Sequence, residues 1–282
     1  MSDKQSLTVL VTGASGGIGS AIATLLAERG HRVFLQGRNA ARLQHLKASL
    51  PFSARHRVMP ADLLDVEQRT ALVRECAEVD GGVDVLINNA GISSFALLSD
   101  MSDSALSGLL NTNLLVPMAL TRDLLPLLQR SHSGAIINIG SAFGHIGHPG
   151  FSVYSASKSG LHGFTESLRR ELSDCGIRVH YLAPRAVDTD LNTEAVIGLN
   201  RALGNKSDSP REVAMQCVQL LDSRTGRRRF IGWPERLFIK VNALFPALVD
   251  SVLAKKMPLI RQYATQELQS ANHPISSSGE AL

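Results

Sequence analysis

The segment Leu7-Thr8-Val9-Leu10-Val11-Thr12-Gly13-Ala14-Ser15-Gly16-Gly17-Ile18-Gly19 decides how the chain is read. Its apolar, β-branched opening suits a buried strand, and the glycines that follow end that strand at once. Glycine permits a tight turn and a close approach of backbone to a ligand. The helix that opens next presents unpaired N–H groups to an anion such as a pyrophosphate. Gly13, Ser15, Gly17, Ile18 and Gly19 are therefore candidate dinucleotide-binding positions. The spacing is Gly-xxx-Gly-x-Gly, and for this segment alone a plain strand-to-helix turn stays open as the alternative.

Outward from this turn, short runs rich in Val and Ile recur at 7–12, 32–36, 57–59, 83–88, 135–139, 177–182 and 229–231, separated by longer helix-like stretches. Such alternation predicts a doubly wound, Rossmann-type α/β fold with a parallel sheet covered on both faces. A helix is expected from about 104 to 129, with Pro117 as a local irregularity, and another from near 152 to 174, closed by Gly176. On the second, Val153, Ala156, Gly160, Leu161, Phe164, Leu168 and Leu172 mark one apolar face. A further face could pair with another subunit, and a homodimer or homotetramer is expected. Ser209-Pro210 opens another helix ending near Asp222. The expected organisation is a dinucleotide-binding and catalytic domain over 1–232, an apolar helical extension over 233–272 and a polar, disordered tail over 273–282.

The chain has 282 residues, 44% hydrophobic and 19% charged, ordinary for a globular enzyme. A formal charge of +4 is small, and the cluster Arg224, Arg227, Arg228 and Arg229 lacks aromatic interleaving. A solvated rim is expected there, and no nucleic-acid partner. Cys76, Cys175 and Cys217 are widely spaced with no metal-ligand pattern, so a reduced, cytoplasmic setting and no metal site are expected. The opening apolar run is broken too soon by Gly13 for a signal peptide, and the longest apolar region, 237–253, is interrupted by Lys240, Asn242, Pro246 and Asp250. No membrane-crossing segment is expected.

At the end of the second run, Gln36-Gly37-Arg38-Asn39 places glycine where an acid would accept hydrogen bonds from both ribose hydroxyls of NAD. Arg38 can instead fork onto a ribose 2′-phosphate, which favours NADP(H) as cofactor. Asp62, followed by Leu63, could accept from an adenine amino group or simply cap a helix.

Tyr154 and Lys158 stand four residues apart on one helix, so phenol and ammonium share a face. A nearby ammonium favours the phenolate, moving tyrosine toward a pKa useful at neutral pH. Hydride transfer to a carbonyl builds negative charge on oxygen. A proton donor and a second hydrogen-bond donor must converge there, and Ser141 is the candidate for the second. Taken alone, the pair Tyr154 and Lys158 also fits a structural contact.

With these residues in order, the chain resembles the short-chain dehydrogenase/reductase family over nearly all of 7–232. The turn from Thr12 to Gly19 is similar to the family's cofactor turn, Asn88-Asn89-Ala90-Gly91 to the motif supporting its central sheet, and Tyr154-Ser155-Ala156-Ser157-Lys158 to its active-site helix. The resemblance implies a catalytic tetrad in which Asn113 holds a water toward Lys158, Ser141 polarises the carbonyl, Tyr154 exchanges the proton and Lys158 also binds the nicotinamide ribose. It implies cofactor contacts from Asn89, Ala90 and Gly91, and from Pro184, Val187 and Thr189. Two departures stand out: the family's Pro-Gly reads Pro184-Arg185, and Gly16 occupies a position that many NADP-using relatives fill with a basic residue.

The segment 191–204, with Val196, Ile197, Leu199 and Leu203, lies where the family varies its substrate loop, and Phe143 and Phe151 flank the serine and tyrosine. A lipophilic carbonyl substrate is expected, the same residues serving alcohol oxidation in reverse, with a catalytically silent cofactor sensor as the alternative from another class. His145 and His148 are read as surface or wall residues. Residues 233–263 carry an amphipathic pattern that Pro246 should split, placed beside the cleft, with peripheral membrane contact or burial against the protein itself as its uses.

Overall fold

The structure, a computed structural model, describes residues 6–79 and 81–272; the tail expected at 273–282 lies outside the described residues. Seven strands, β1 (Thr8–Val11), β2 (Arg32–Gly37), β3 (Arg57–Pro60), β4 (Val85–Asn88), β5 (Ala135–Ile139), β6 (Arg178–Ala183) and β7 (Arg228–Phe230), form one parallel sheet in the order β3-β2-β1-β4-β5-β6-β7. β1, β4 and β5 are buried along their whole length, as their mostly apolar sequences suit, and the buried amides of Asn88 and Asn138 satisfy each other, with Nδ2 of Asn88 donating to Oδ1 of Asn138 at 2.8 Å. The order reverses between β1 and β4, so a crevice opens at their carboxyl ends.

Helices cover both faces. On one, α1 (Gly17–Glu28) and α8 (Pro210–Leu221) bury Ile22, Leu26, Val213 and Cys217 against β1, with α2 (Ala40–Ser49) beside them. On the other, α3 (Val66–Glu78), α5 (Val116–Leu128) and α6 (Ser152–Glu171) bury Leu72, Leu120, Leu124 and Leu168. Each fully buried aliphatic side chain contributes about 1.5–3 kcal/mol, which makes these two layers the main source of stability.

The expected helix over 104–129 is broken into α4 (Asp103–Leu110), a π-helical turn over Asn111–Leu115, and α5. Pro117 follows directly in continuous helical backbone, and its missing N–H and its ring act on the carbonyl four residues back, that of Asn113 inside this turn, so the irregularity lies where Pro117 was expected to place it. α6 ends at Glu171, three residues short of the expected limit, and Gly176 takes its positive φ of 72° in the turn beyond. Of the face expected on α6, Ala156 is exposed. Gly160 instead admits Leu114, whose Cδ2 would lie 2.8 Å from a Cβ built there.

The segment read as a variable loop holds a helix, α7 (Glu194–Ala202), capped by the Thr193 hydroxyl. After β7 come α9 (Glu235–Leu244) and α10 (Pro246–Asn272), bent by 118° at the break that Pro246 marks. No single described helix is long and apolar enough to cross a membrane.

Candidate active site

The loops that follow β1 to β6 lie at the carboxyl end of the sheet. The turn after β1 carries Gly13 at φ 61°, and a Cβ there would lie 2.9 Å from the Ala90 Cα. At Gly19 a Cβ would meet the Gly13 carbonyl oxygen, so both positions demand glycine for close packing. Asn89 fixes the turn by donating from Nδ2 to the carbonyls of Thr12 (2.9 Å) and Gly13 (3.2 Å). The Thr12 hydroxyl accepts from the N–H groups of Asn89 and Ala90. Gln36 accepts from Gly13 N–H and donates to the Ala61 carbonyl.

α1 begins at an N-cap, Gly16, with no side-chain cap and no acidic residue in the first turn. Its leading N–H groups are thus left for an anion. Thr189 reaches over this turn, its Cγ2 2.7 Å from a Cβ built on Gly17. Gly37 ends β2 with no carboxylate, the Ser15 hydroxyl stands 3.5 Å from its Cβ position, and Arg38 projects exposed beside it. Together these features fit a dinucleotide with its phosphates on α1. Ile18 is partly buried against the core below.

Other candidate contacts fall differently. Asp62 turns its carboxylate to the Leu64 N–H at 3.0 Å, and the cap of α3 is Asp65, not Asp62. The Leu63 side chain is buried in the core, so it offers a ligand only main-chain atoms. The Pro184 carbonyl accepts from Ala142 N–H, and Val187 is buried with its carbonyl held by Asn192.

Lys158 is buried on α6, and its Nζ donates to the Ile139 carbonyl at 3.1 Å and stands 5.8 Å from the Tyr154 ring centroid. Burial draws the Lys158 pKa from the ordinary 10.5 to about 8. The Tyr154 phenol is pushed up, not down: burial outweighs its hydrogen bond with Ser141. The expected depression by the ammonium is absent because Nζ is turned toward Ile139, leaving desolvation dominant. Ser141 sits at the end of β5, where its Oγ also accepts from Phe143 N–H.

Asn113 is fully buried because the π turn aims it inward. Its Oδ1 accepts from Ile92 N–H, and its Nδ2 donates to the Ile92 carbonyl and to Ser157 Oγ. Both amide hydrogens are committed, and one acceptor site on Oδ1 remains. Oδ1 and the Lys158 Nζ both face Gly91, at 3.1 and 3.6 Å from its Cβ position.

Beside Tyr154 lies an apolar wall of Phe95, Phe151, Val196, Leu199 and Ile260, with Phe143 and Met257 packed against it. Phe95 comes from a segment with no motif, so only the folded chain brings it here, whereas Ile260 belongs to the 233–263 segment expected beside the cleft. His148 stacks on Phe143 at 4.9 Å and belongs to this wall. His145 instead nests with His162, Tyr181 and Phe230, and burial lowers its pKa to about 4. Arg185 is firmly held, its guanidinium pairing with Asp208 at 2.6 Å and Glu235 at 3.4 Å. This joins the loop after β6 to the start of α9.

The family model described as short chain dehydrogenase matches residues 7–199. The chain belongs to the short-chain dehydrogenase family. It is therefore an oxidoreductase of a family that uses nicotinamide cofactors on small-molecule substrates and commonly forms oligomers. It is 39% identical to carbonyl reductase family member 4 of Danio rerio over 77% of this chain and 92% of that one. It is 35% identical to a ketoacyl reductase of Nostoc sp. over 87% of each. A short-chain dehydrogenase of Streptomyces avermitilis superposes with a TM-score of 0.76 at 28% identity, over 92% of this chain and 99% of that one.

Proposed function

We propose that this short-chain dehydrogenase reduces a lipophilic ketone with NADPH, with Tyr154 as the proton donor. The observation that carries the reading is the convergence of Tyr154, Ser141 and buried Lys158 at the mouth of the crevice, against an apolar wall. The similar carbonyl and ketoacyl reductases support a ketone as the reacting group.

Bound NADPH supplies the hydride. Ser141 and Tyr154 both direct hydroxyls at the substrate oxygen, and Tyr154 gives that oxygen its proton as charge develops there. With its pKa raised by burial, the phenol carries its proton at neutral pH and so holds the proton that the substrate oxygen takes up. Lys158, titrating near 8, restores the proton and anchors the ribose, and Asn113 links it to water through its remaining Oδ1 acceptor site. The same residues serve oxidation when the cofactor ratio reverses. Arg38 reads the 2′-phosphate, and the free thiols of Cys76, Cys175 and Cys217 suit a reducing, cytoplasmic setting. The test is NADPH consumption by the whole chain against ketones of increasing chain length, with NADH in parallel. Turnover that rises with apolar size and prefers NADPH is expected; no turnover on any ketone would refute the reading.

A further inference from the structure

The two halves of the C-terminal hairpin have opposite fates. The far half of α10 packs Met257, Ile260 and Ala264 into the wall beside Tyr154. Asn242 ties α9 down through a 2.9 Å hydrogen bond to the His145 carbonyl, and Ile239 is buried beneath it. The joint between the helices, by contrast, presents apolar side chains to water. Residues 243–248, Ala243-Leu244-Phe245-Pro246-Ala247-Leu248, are all exposed, Leu244 to 72% and Leu248 to 61%. Leu237 and Phe238 on α9, Val252 on α10 and Trp233 just before α9 are exposed as well. Of the large hydrophobics exposed on the described residues, this short stretch holds seven, which sets it apart from scattered single exposures.

We propose that this joint is a docking tip that inserts into the surface of an anionic lipid bilayer. Charge chooses the occupant. From 233 to 261 the chain carries Arg236, Lys240, Lys255, Lys256 and Arg261 against Glu235 and Asp250, and Glu235 is already paired with Arg185. A second copy docking by the same face would bring this excess of positive charge against itself, whereas acidic headgroups would neutralise it. Spacing agrees. Leu248, Val252 and Lys255 follow one another along the exposed side of α10, with Lys255 about 10 Å above Leu248 by helical rise. An apolar tip sunk roughly 5–10 Å therefore brings Lys255 to the headgroup level. Trp233 and Phe238 supply rings suited to that boundary. Because the same α10 lines the wall beside Tyr154, the docked tip sets the crevice next to the bilayer. This last consequence rests on the proposed reaction, and the docking does not.

The whole chain contains a single tryptophan, Trp233, 69% exposed just before α9, so its emission reports on the segment that leads into this joint. The experiment adds vesicles of phosphatidylcholine, with and without phosphatidylserine, to the parent chain and to Leu244→Glu/Leu248→Glu and Lys255→Gln/Lys256→Gln. Sedimentation, Trp233 emission and circular dichroism are read together, with size measured in the absence of lipid. The parent is expected to sediment with phosphatidylserine vesicles with a blue-shifted emission. The glutamate pair should bind at least tenfold more weakly while remaining folded. The glutamine pair should lose roughly fivefold per charge removed, only on the acidic vesicles. Three results would overturn the proposal: no vesicle binding by the parent, equal binding by the folded glutamate variant, or a lipid-free dimer that shields Trp233 and dissociates in that variant. Should the glutamate pair fail to fold, the glutamine pair decides, since unchanged binding to acidic vesicles would remove the charge argument.

Discussion

The ammonium of Lys158 sits inside the protein with one hydrogen bond, to the Ile139 carbonyl, and burial holds its pKa near 8. In the unfolded chain the same group keeps its proton to about 10.4. Between those values the unfolded state binds more protons, so this group makes stability rise with pH across that window and is unfavourable below it. Lys158→Met should therefore stabilise the fold at pH 7 by about 1–3 kcal/mol while removing activity, a gain that fades as pH approaches 10. Urea midpoints of parent and variant at pH 7 and 10 check this; a variant less stable at pH 7 would contradict it. At Arg38 the expectation concerns cofactor choice. Arg38→Ala should erase most of the preference for NADPH over NADH, a charge-assisted contact of about 1.5–3 kcal/mol, read from the two dissociation constants before and after substitution. A preference that survives would assign the phosphate to another group.

Between elements, the ion pair of Arg185 with Asp208 is the join that a motif comparison alone leaves open. Asp208 is buried with its Oδ2 unpartnered, so it depends on the guanidinium that reaches Oδ1 at 2.6 and 2.9 Å. Arg185→Leu should cost about 2–4 kcal/mol, somewhat below the loss for a fully buried pair because the guanidinium still touches water. The double variant Arg185→Leu/Asp208→Leu should recover part of that loss, since no orphaned carboxylate remains. Urea denaturation of both variants measures the difference, and a double variant no more stable than the single one would place the stability elsewhere. The partners are 23 and 50 residues away in sequence, which is why reading along the chain left Arg185 an open question. The π turn was legible only in part: Pro117 marked an irregularity in this helix, and packing of Asn113 against Ile92 and Ser157 shows which way it unwinds.

Across the whole molecule, what was legible is what local chemistry dictates. Strand and helix alternate as the apolar runs do. The glycine turn falls at the end of β1, and Tyr154 and Lys158 share one face of α6 because four residues make about one helical turn. What was not legible depends on distant partners. Phe95 enters the cleft wall from a segment that carries no motif, and burial reverses the expected pKa shift of Tyr154. The role of that tyrosine is the claim on which the reading of the site depends. Its most direct test is steady-state reduction of one ketone by the parent and by Tyr154→Phe, with NADPH affinity and circular dichroism measured alongside. A fall in kcat of roughly 10²–10⁴ with cofactor affinity and fold unchanged is the expected result; a folded Tyr154→Phe that turns over at the parent's rate would contradict it.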